Sequence, residues 1–166
     1  LEDLLEEYGY EIITNIGGNG FAAILKNGGN KTVLFRADMD ALPIKEETGI
    51  SFESVKTTKQ NGMDVPIMHA CGHDIHMTSL IGTAEYFAKN KDSWKGTIVF
   101  ILQPAEEIGF GARQMINAGL FKKIPYPDIN LALHVSAQTQ SGTVHITPGF
   151  AMAVSYTHLT LPPIYS

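Results

Sequence analysis

The chain of 166 residues is poor in charge and nearly without cysteine. Charged residues make up 17%, below the usual quarter, while hydrophobic residues hold an ordinary 44%. That balance supports one folded domain with a real core and argues against disorder. Lys and Arg number 12 against 17 Asp and Glu, for a net charge of −5, and no basic cluster occurs. A nucleic-acid-binding surface is therefore not expected. One cysteine, Cys71, excludes an internal disulfide framework. No apolar run approaches the ~18 residues of a membrane span, and no signal-peptide pattern precedes the first element. The expectation is a soluble, cytoplasmic protein with neither nucleic acid nor membrane as partner. The chain opens without Met, and Leu1, Leu4, Leu5 and Tyr8 fall at helical spacing, so it is expected to begin inside a helix that stops near Gly9.

Short apolar runs predict strands at Phe21 to Leu25, Thr32 to Phe35, Ile98 to Leu102 and Leu131 to Val135, with a weaker one at Thr143 to Ile146. Asn27-Gly28-Gly29-Asn30 reads as a hairpin turn between the first two. Met77, Leu80, Ile81, Ala84, Phe87 and Ala88 follow a helical stripe, with Asp74 placed to cap it. Ala112, Met115 and Ile116 mark a second helix ending near Gly119, and Ile124 to Asp128 is a loop. Strands alternating with helices predict an α/β fold, a mostly parallel central sheet sandwiched by helices.

Chemistry-bearing residues concentrate in a few places. Met68-His69-Ala70-Cys71-Gly72-His73-Asp74 holds the cysteine and two of the six histidines. Cys71 and His73, two apart, can face one side of an extended or turning backbone and share a metal ion. The competing reading is a small buried thiol beside a helix start. Asp38 and Asp40, also two apart, follow the run Val33 to Phe35, where a polar turn is the alternative. Glu106 and Glu107 follow the run ending at Leu102, where a solvated helix start is the alternative. His134 sits among apolar neighbours, as a core histidine would. Taken together, three of these four groups follow or end an apolar strand, and ligands of open α/β sheets gather outside the carboxyl ends of strands. One thiolate, two imidazoles and several carboxylates suit one or two divalent transition ions better than calcium or magnesium. Adjacent glutamates also allow one to bind metal while the other acts as a base.

In order and spacing, FRADMDALP, MHACGHDIHMT, QPAEE-x-x-x-GA and LALHV closely resemble the N-acyl-amino-acid amidohydrolases. That group includes hippurate hydrolases, auxin-conjugate hydrolases and N-acetyldiaminopimelate deacetylase-like enzymes, within the aminoacylase and co-catalytic metallopeptidase superfamily. The resemblance spans about residues 1–154. It implies a di-metal hydrolase cleaving N-acyl amino acids to a carboxylic acid and a free amino acid. Zinc, manganese, cobalt and nickel are all open as the two ions. Cys71 is implied as the bridging thiolate, His73, Glu107 and His134 as further ligands, Glu106 as general base and acid, and Asp40 as an orienting residue. Asp38, His69 and His76 match motif positions without an implied role. The alternatives are a metal-dependent dipeptidase or carboxypeptidase, acting on short peptides, and a non-catalytic metal-binding or redox module centred on Cys71.

The resemblance also sets expectations for organisation. Residues 1–154 read as the N-terminal part of a catalytic domain lacking the family's opening helix, its lid and dimerisation domain, and one more histidine ligand. The whole protein is expected to be a homodimer and this segment alone to have little or no activity. Ser155 to Ser166 carries no charged residue and two adjacent prolines, and SYTHLTLPPIYS resembles translated adapter read-through. Purified side by side, residues 1–154 and 1–166 should show equal thermal stability and equal zinc or manganese binding, with little turnover of N-acyl amino acids. A large stability loss on removing the tail would refute the read-through reading, and robust turnover would refute the fragment reading.

Overall fold

The computed structural model describes residues 1–138 and 140–145. In chain order the elements are α1 (Glu2–Glu7), β1 (Glu11–Ile13), β2 (Phe21–Lys26), β3 (Thr32–Asp38), β4 (Thr57–Gln60), β5 (Met63–Pro66), α2 (His73–Lys89), β6 (Thr97–Gln103), α3 (Gly111–Asn117), α4 (Leu120–Lys123) and β7 (Ile129–Ala132). Five strands form one sheet in the order β1-β2-β6-β3-β7, while β4 and β5 pair as a separate hairpin.

The centre of the sheet is β6 because Ile98 to Leu102 is apolar on both faces and needs cover on both. Along it Ile98, Phe100 and Leu102 join Leu5 of α1 and Leu80 and Ala84 of α2 in one core layer. Val99 and Ile101 face the other way, against Met115 of α3, Leu120 of α4 and Ile124. Helices thus cover both faces, as an α/β sandwich requires. The sheet is mixed: β6–β3 and β3–β7 are parallel, whereas β1–β2 and β2–β6 are antiparallel. The parallel half is the one that carries the chemistry.

Asn27 to Asn30 does not close a hairpin, since β6 lies between β2 and β3 and pairs with both. The turn is held instead by the segment leading into β6. The Asn27 N–H donates to the Gly96 carbonyl at 2.8 Å, and its side-chain amide donates to the carbonyls of Lys91 and Trp94 at 2.6 and 2.7 Å. The hairpin that does form, β4–β5, turns at Asn61-Gly62, with φ of 51° and 81°, the left-handed pair that a two-residue turn requires. Neither it nor the short β1 has the apolar periodicity that announces an element in sequence.

Asp74 does not cap α2. The helix begins at His73, Gly72 occupies the capping position with φ of 80°, and Asp74 lies in the first turn without a side-chain cap bond. There its charge still suits the helix dipole. Strand β7 ends at Ala132, so Leu133 to Val135 continues as irregular backbone, and Thr143 to His145 is not strand. Ile146 and the segment Ser155 to Ser166 lie outside the described residues. No described helix is long and apolar enough to cross a membrane.

Phe100 is fully buried at the middle of the central strand. Phe100→Ala should cost about 3–5 kcal/mol in urea unfolding. A loss under 1 kcal/mol would show that this layer is not the core.

Candidate metal centre

Parallel register brings the site together. Asp38 on β3 is the partner of Gln103 on β6, and the Met39 N–H donates to the Gln103 carbonyl at 2.9 Å. The segments leaving these two strands, residues 38–40 and 103–107, therefore run side by side at one end of the sheet. The second segment is sharply folded. Ala105 has φ of 51°, an uncommon conformation for a residue with a Cβ, and its carbonyl accepts the N–H groups of Phe110 and Gly111. A Cβ on Gly111 would lie 1.6 Å from the Pro104 carbonyl oxygen, so only glycine fits there. The resulting turn presents Glu106 and Glu107, and the Glu107 N–H donates to Asp40 Oδ2 at 3.0 Å.

His73, at the first position of α2, is fully buried. Its Nδ1 lies 2.9 Å from the Asp40 carbonyl oxygen, which can only accept, so Nδ1 carries the proton. Nε2 points into a ring of carboxylates: Asp38 Oδ2 at 3.7 Å, Glu107 Oε1 at 3.8 Å and Glu106 Oε2 at 3.9 Å. These separations are too long for hydrogen bonds. His73 Nε2 and Glu107 Oε1 are both buried without a hydrogen-bond partner. A divalent ion held by these residues would satisfy both atoms.

Cys71 and His134 meet beside this point, with Cys71 Sγ 3.5 Å from His134 Nε2. His134 Nδ1 is 2.7 Å from the Val135 carbonyl and donates to it, which leaves Nε2 with its lone pair toward the sulfur. The ligand atoms of Cys71, His73 and His134 all lie within 4.8 Å of one another, as do those of His73, Glu106 and Glu107. Burial pushes the Cys71 thiol up to about 11, and the neighbouring carboxylates of Glu107, Glu106 and Asp38 push the same way. A thiol so placed stays protonated at neutral pH unless a cation offsets that charge.

A third cluster, Asp38, His73 and His76, has the residue types of a metal site, but Asp38 and His76 are engaged elsewhere. Asp38 Oδ1 lies 2.6 Å from His76 Nδ1, and Oδ2 accepts from Arg36 at 2.7 Å. His76 Nε2 accepts the Val135 N–H at 3.0 Å. Burial raises the Asp38 pKa, but the His76 hydrogen bond, the Arg36 guanidinium and the two imidazoles outweigh it and hold the carboxyl down to about 2. Asp38 is thus an ionised acceptor with both oxygens engaged, and His76 has neither nitrogen available.

A family model described as peptidase family M20/M25/M40 matches residues 34–165. The chain belongs to that family. It is 42% identical over 125 residues to an N-acetyldiaminopimelate deacetylase of Oenococcus oeni, covering 75% of this chain and 30% of that protein. It is 44% identical over 120 residues to a hippurate hydrolase of Campylobacter jejuni, covering 72% and 29%. Against thermostable carboxypeptidase 1 of Saccharolobus solfataricus the identity is 44% over 125 residues, covering 74% and 29%. Among solved structures, a dinuclear metal binding peptidase of the M20 family from Bacillus subtilis superposes with a TM-score of 0.69 at 36% identity, covering 82% of this chain and 36% of that one. The chain spans about 30% of the length of the curated relatives it matches.

All six residues singled out from the sequence, Asp40, Cys71, His73, Glu106, Glu107 and His134, lie at this end of the sheet. Asp40 does not face the ring as a donor would. It engages the backbone of Glu107 and, through its carbonyl, the ring of His73, and so ties the two segments together. His69 is not joined to the cluster by any hydrogen bond among the described residues, and its Nδ1 is buried without a partner. Sequence reasoning passed over Arg36 and Gly72. A Cβ on Gly72 would meet Val135 Cγ2 at 2.4 Å, so that glycine lets the His134 segment approach α2. A glycine directly before a helical stripe is the one signal that could have found it. In the metal-free chain, iodoacetamide should alkylate Cys71 with a pH midpoint near 11, because the thiolate forms only as pH rises to that value. Zinc should protect the residue. A midpoint at the ordinary value of ~8.5 would show that the thiol is neither buried nor surrounded by carboxylates as described.

Proposed function

We propose that the protein carrying this chain is a metal-dependent amidohydrolase that releases the acyl group of N-acyl amino acids. The observation that carries the reading is the buried, unpartnered His73 Nε2 opposite the unpartnered Glu107 Oε1, with Cys71 and His134 converging alongside. This donor set fits divalent transition ions, and thiolate and imidazole suit zinc, manganese, cobalt or nickel. Cys71, His73, Glu107 and His134 would hold them, and the dinuclear relative supports two ions. When bound, such ions polarise a carbonyl and lower the pKa of water.

The chain's own residues do the rest. Glu106 shares the turn of Glu107 and reaches the same point, 3.9 Å from His73 Nε2, so its carboxylate is placed to take a proton from the attacking water. It then returns that proton to the leaving amine. Asp40 fixes the height of Glu107 and the rotation of the His73 ring. A cytoplasmic location accompanies this reading, since a thiol used as a ligand has to stay reduced.

Cleavage of peptides from the carboxyl end is the second reading, favoured by the similarity to the carboxypeptidase relative. A panel of N-acyl amino acids beside dipeptides and tripeptides separates the two. In the whole protein, Glu106→Gln should keep its metal and lose roughly 10²–10⁴-fold in kcat. Turnover near wild type would remove Glu106 from the mechanism.

A further inference from the structure

We infer that His76 is a positioning residue that clamps the His134 segment onto α2 and so sets the geometry of the Cys71–His134 pair. The inference rests on the metal-centre reading above. His76 is buried, and both ring nitrogens are engaged. The Arg36 guanidinium, 2.7 Å from one oxygen, holds Asp38 as a carboxylate, so the 2.6 Å contact of the other oxygen with His76 Nδ1 requires that nitrogen to donate. The Val135 N–H can only donate, so His76 Nε2 accepts it at 3.0 Å. One neutral tautomer, protonated at Nδ1, satisfies both bonds.

The chain Arg36–Asp38–His76–Val135 therefore runs from the end of β3, through the first turn of α2, to the residue after His134. The ring also packs against the two other imidazoles, whose own centroids are 6.2 Å apart. Its centroid lies 4.5 Å from that of His134, at 68°, and 5.4 Å from that of His73, at 32°. Val135 belongs to irregular backbone beyond the last ladder pair of β7, Arg36 with Ala132. No strand partner holds the Val135 N–H, and His76 supplies the acceptor. Among the described residues, the other close approaches of this segment to the start of α2 are the 3.5 Å contact of Cys71 Sγ with His134 Nε2 and the approach of Val135 to Gly72.

The test uses cobalt as the probe on the 166-residue chain. His76→Phe keeps a ring against His73 and His134 and removes both hydrogen bonds. His76→Gln keeps a carbonyl oxygen able to accept from Val135. Cobalt affinity, from chelator competition, should fall about 10–100-fold in His76→Phe, with an altered thiolate-to-cobalt absorption band, and recover in His76→Gln. A wild-type band left unchanged by His76→Phe overturns the clamp. No band in the wild type overturns the metal reading, and the purpose assigned to the clamp with it. Should the variants fail to fold, nitrogen NMR of the metal-free wild type decides. His76 protonated at Nδ1, with slow exchange of the Val135 amide, is expected. Protonation at Nε2, or fast exchange of that amide, overturns the inference.

Discussion

Three carboxylates of this chain meet around one buried imidazole nitrogen. Like charges packed at that range repel strongly where water is scarce, so their meeting must be enforced by the rest of the fold. The parallel pairing of β3 with β6 enforces it. Asp38 opposite Gln103 puts the two strand ends level, and neither the carboxylates after β3 nor those after β6 can withdraw without breaking that ladder. Burial of β6 on both faces holds the ladder in place.

Around this constraint, polar contacts work at different distances from the chemistry. The Asp40 carboxylate and carbonyl join the turn after β6 to the first residue of α2. Asp38, Arg36 and His76 form a network in which both Asp38 oxygens and both His76 nitrogens are engaged. Among the buried atoms left without a partner, which include Asp40 Oδ1, His73 Nε2 and Glu107 Oε1 face each other, and a cation would satisfy both. Two neighbouring clusters of similar residue types thus behave differently, because one has spent its lone pairs and protons and the other has not. Residue type alone does not separate them, and hydrogen-bond accounting does.

Legibility in the sequence followed the size of the local signal. The run Ile98 to Leu102 and the stripe from Met77 to Ala88 announced β6 and α2 because burial on two faces, or on one helical face, leaves a periodic mark. The pairs Cys71/His73, Asp38/Asp40 and Glu106/Glu107 stood out because each sits beside such an element. The hairpin read at Asn27 to Asn30 was wrong in partner though right as a turn. Gly-rich turn chemistry reports only that the chain reverses, and whether a third strand inserts is a long-range matter.

By itself, then, the sequence determined that acidic pairs would follow two strands and that a Cys-x-His would stand at a helix start, groups of the kind that can bind a cation, since residue chemistry and spacing are local properties. Tertiary structure decided which of those groups would be left without a partner. It engaged both oxygens of Asp38 and both nitrogens of His76, turned Asp40 toward backbone, and left His73 and Glu107 facing each other. The reason is that a donor's availability depends on what lies within about 3 Å of it, and here, apart from Arg36 beside Asp38, those neighbours come from residues 33 to 67 positions away along the chain.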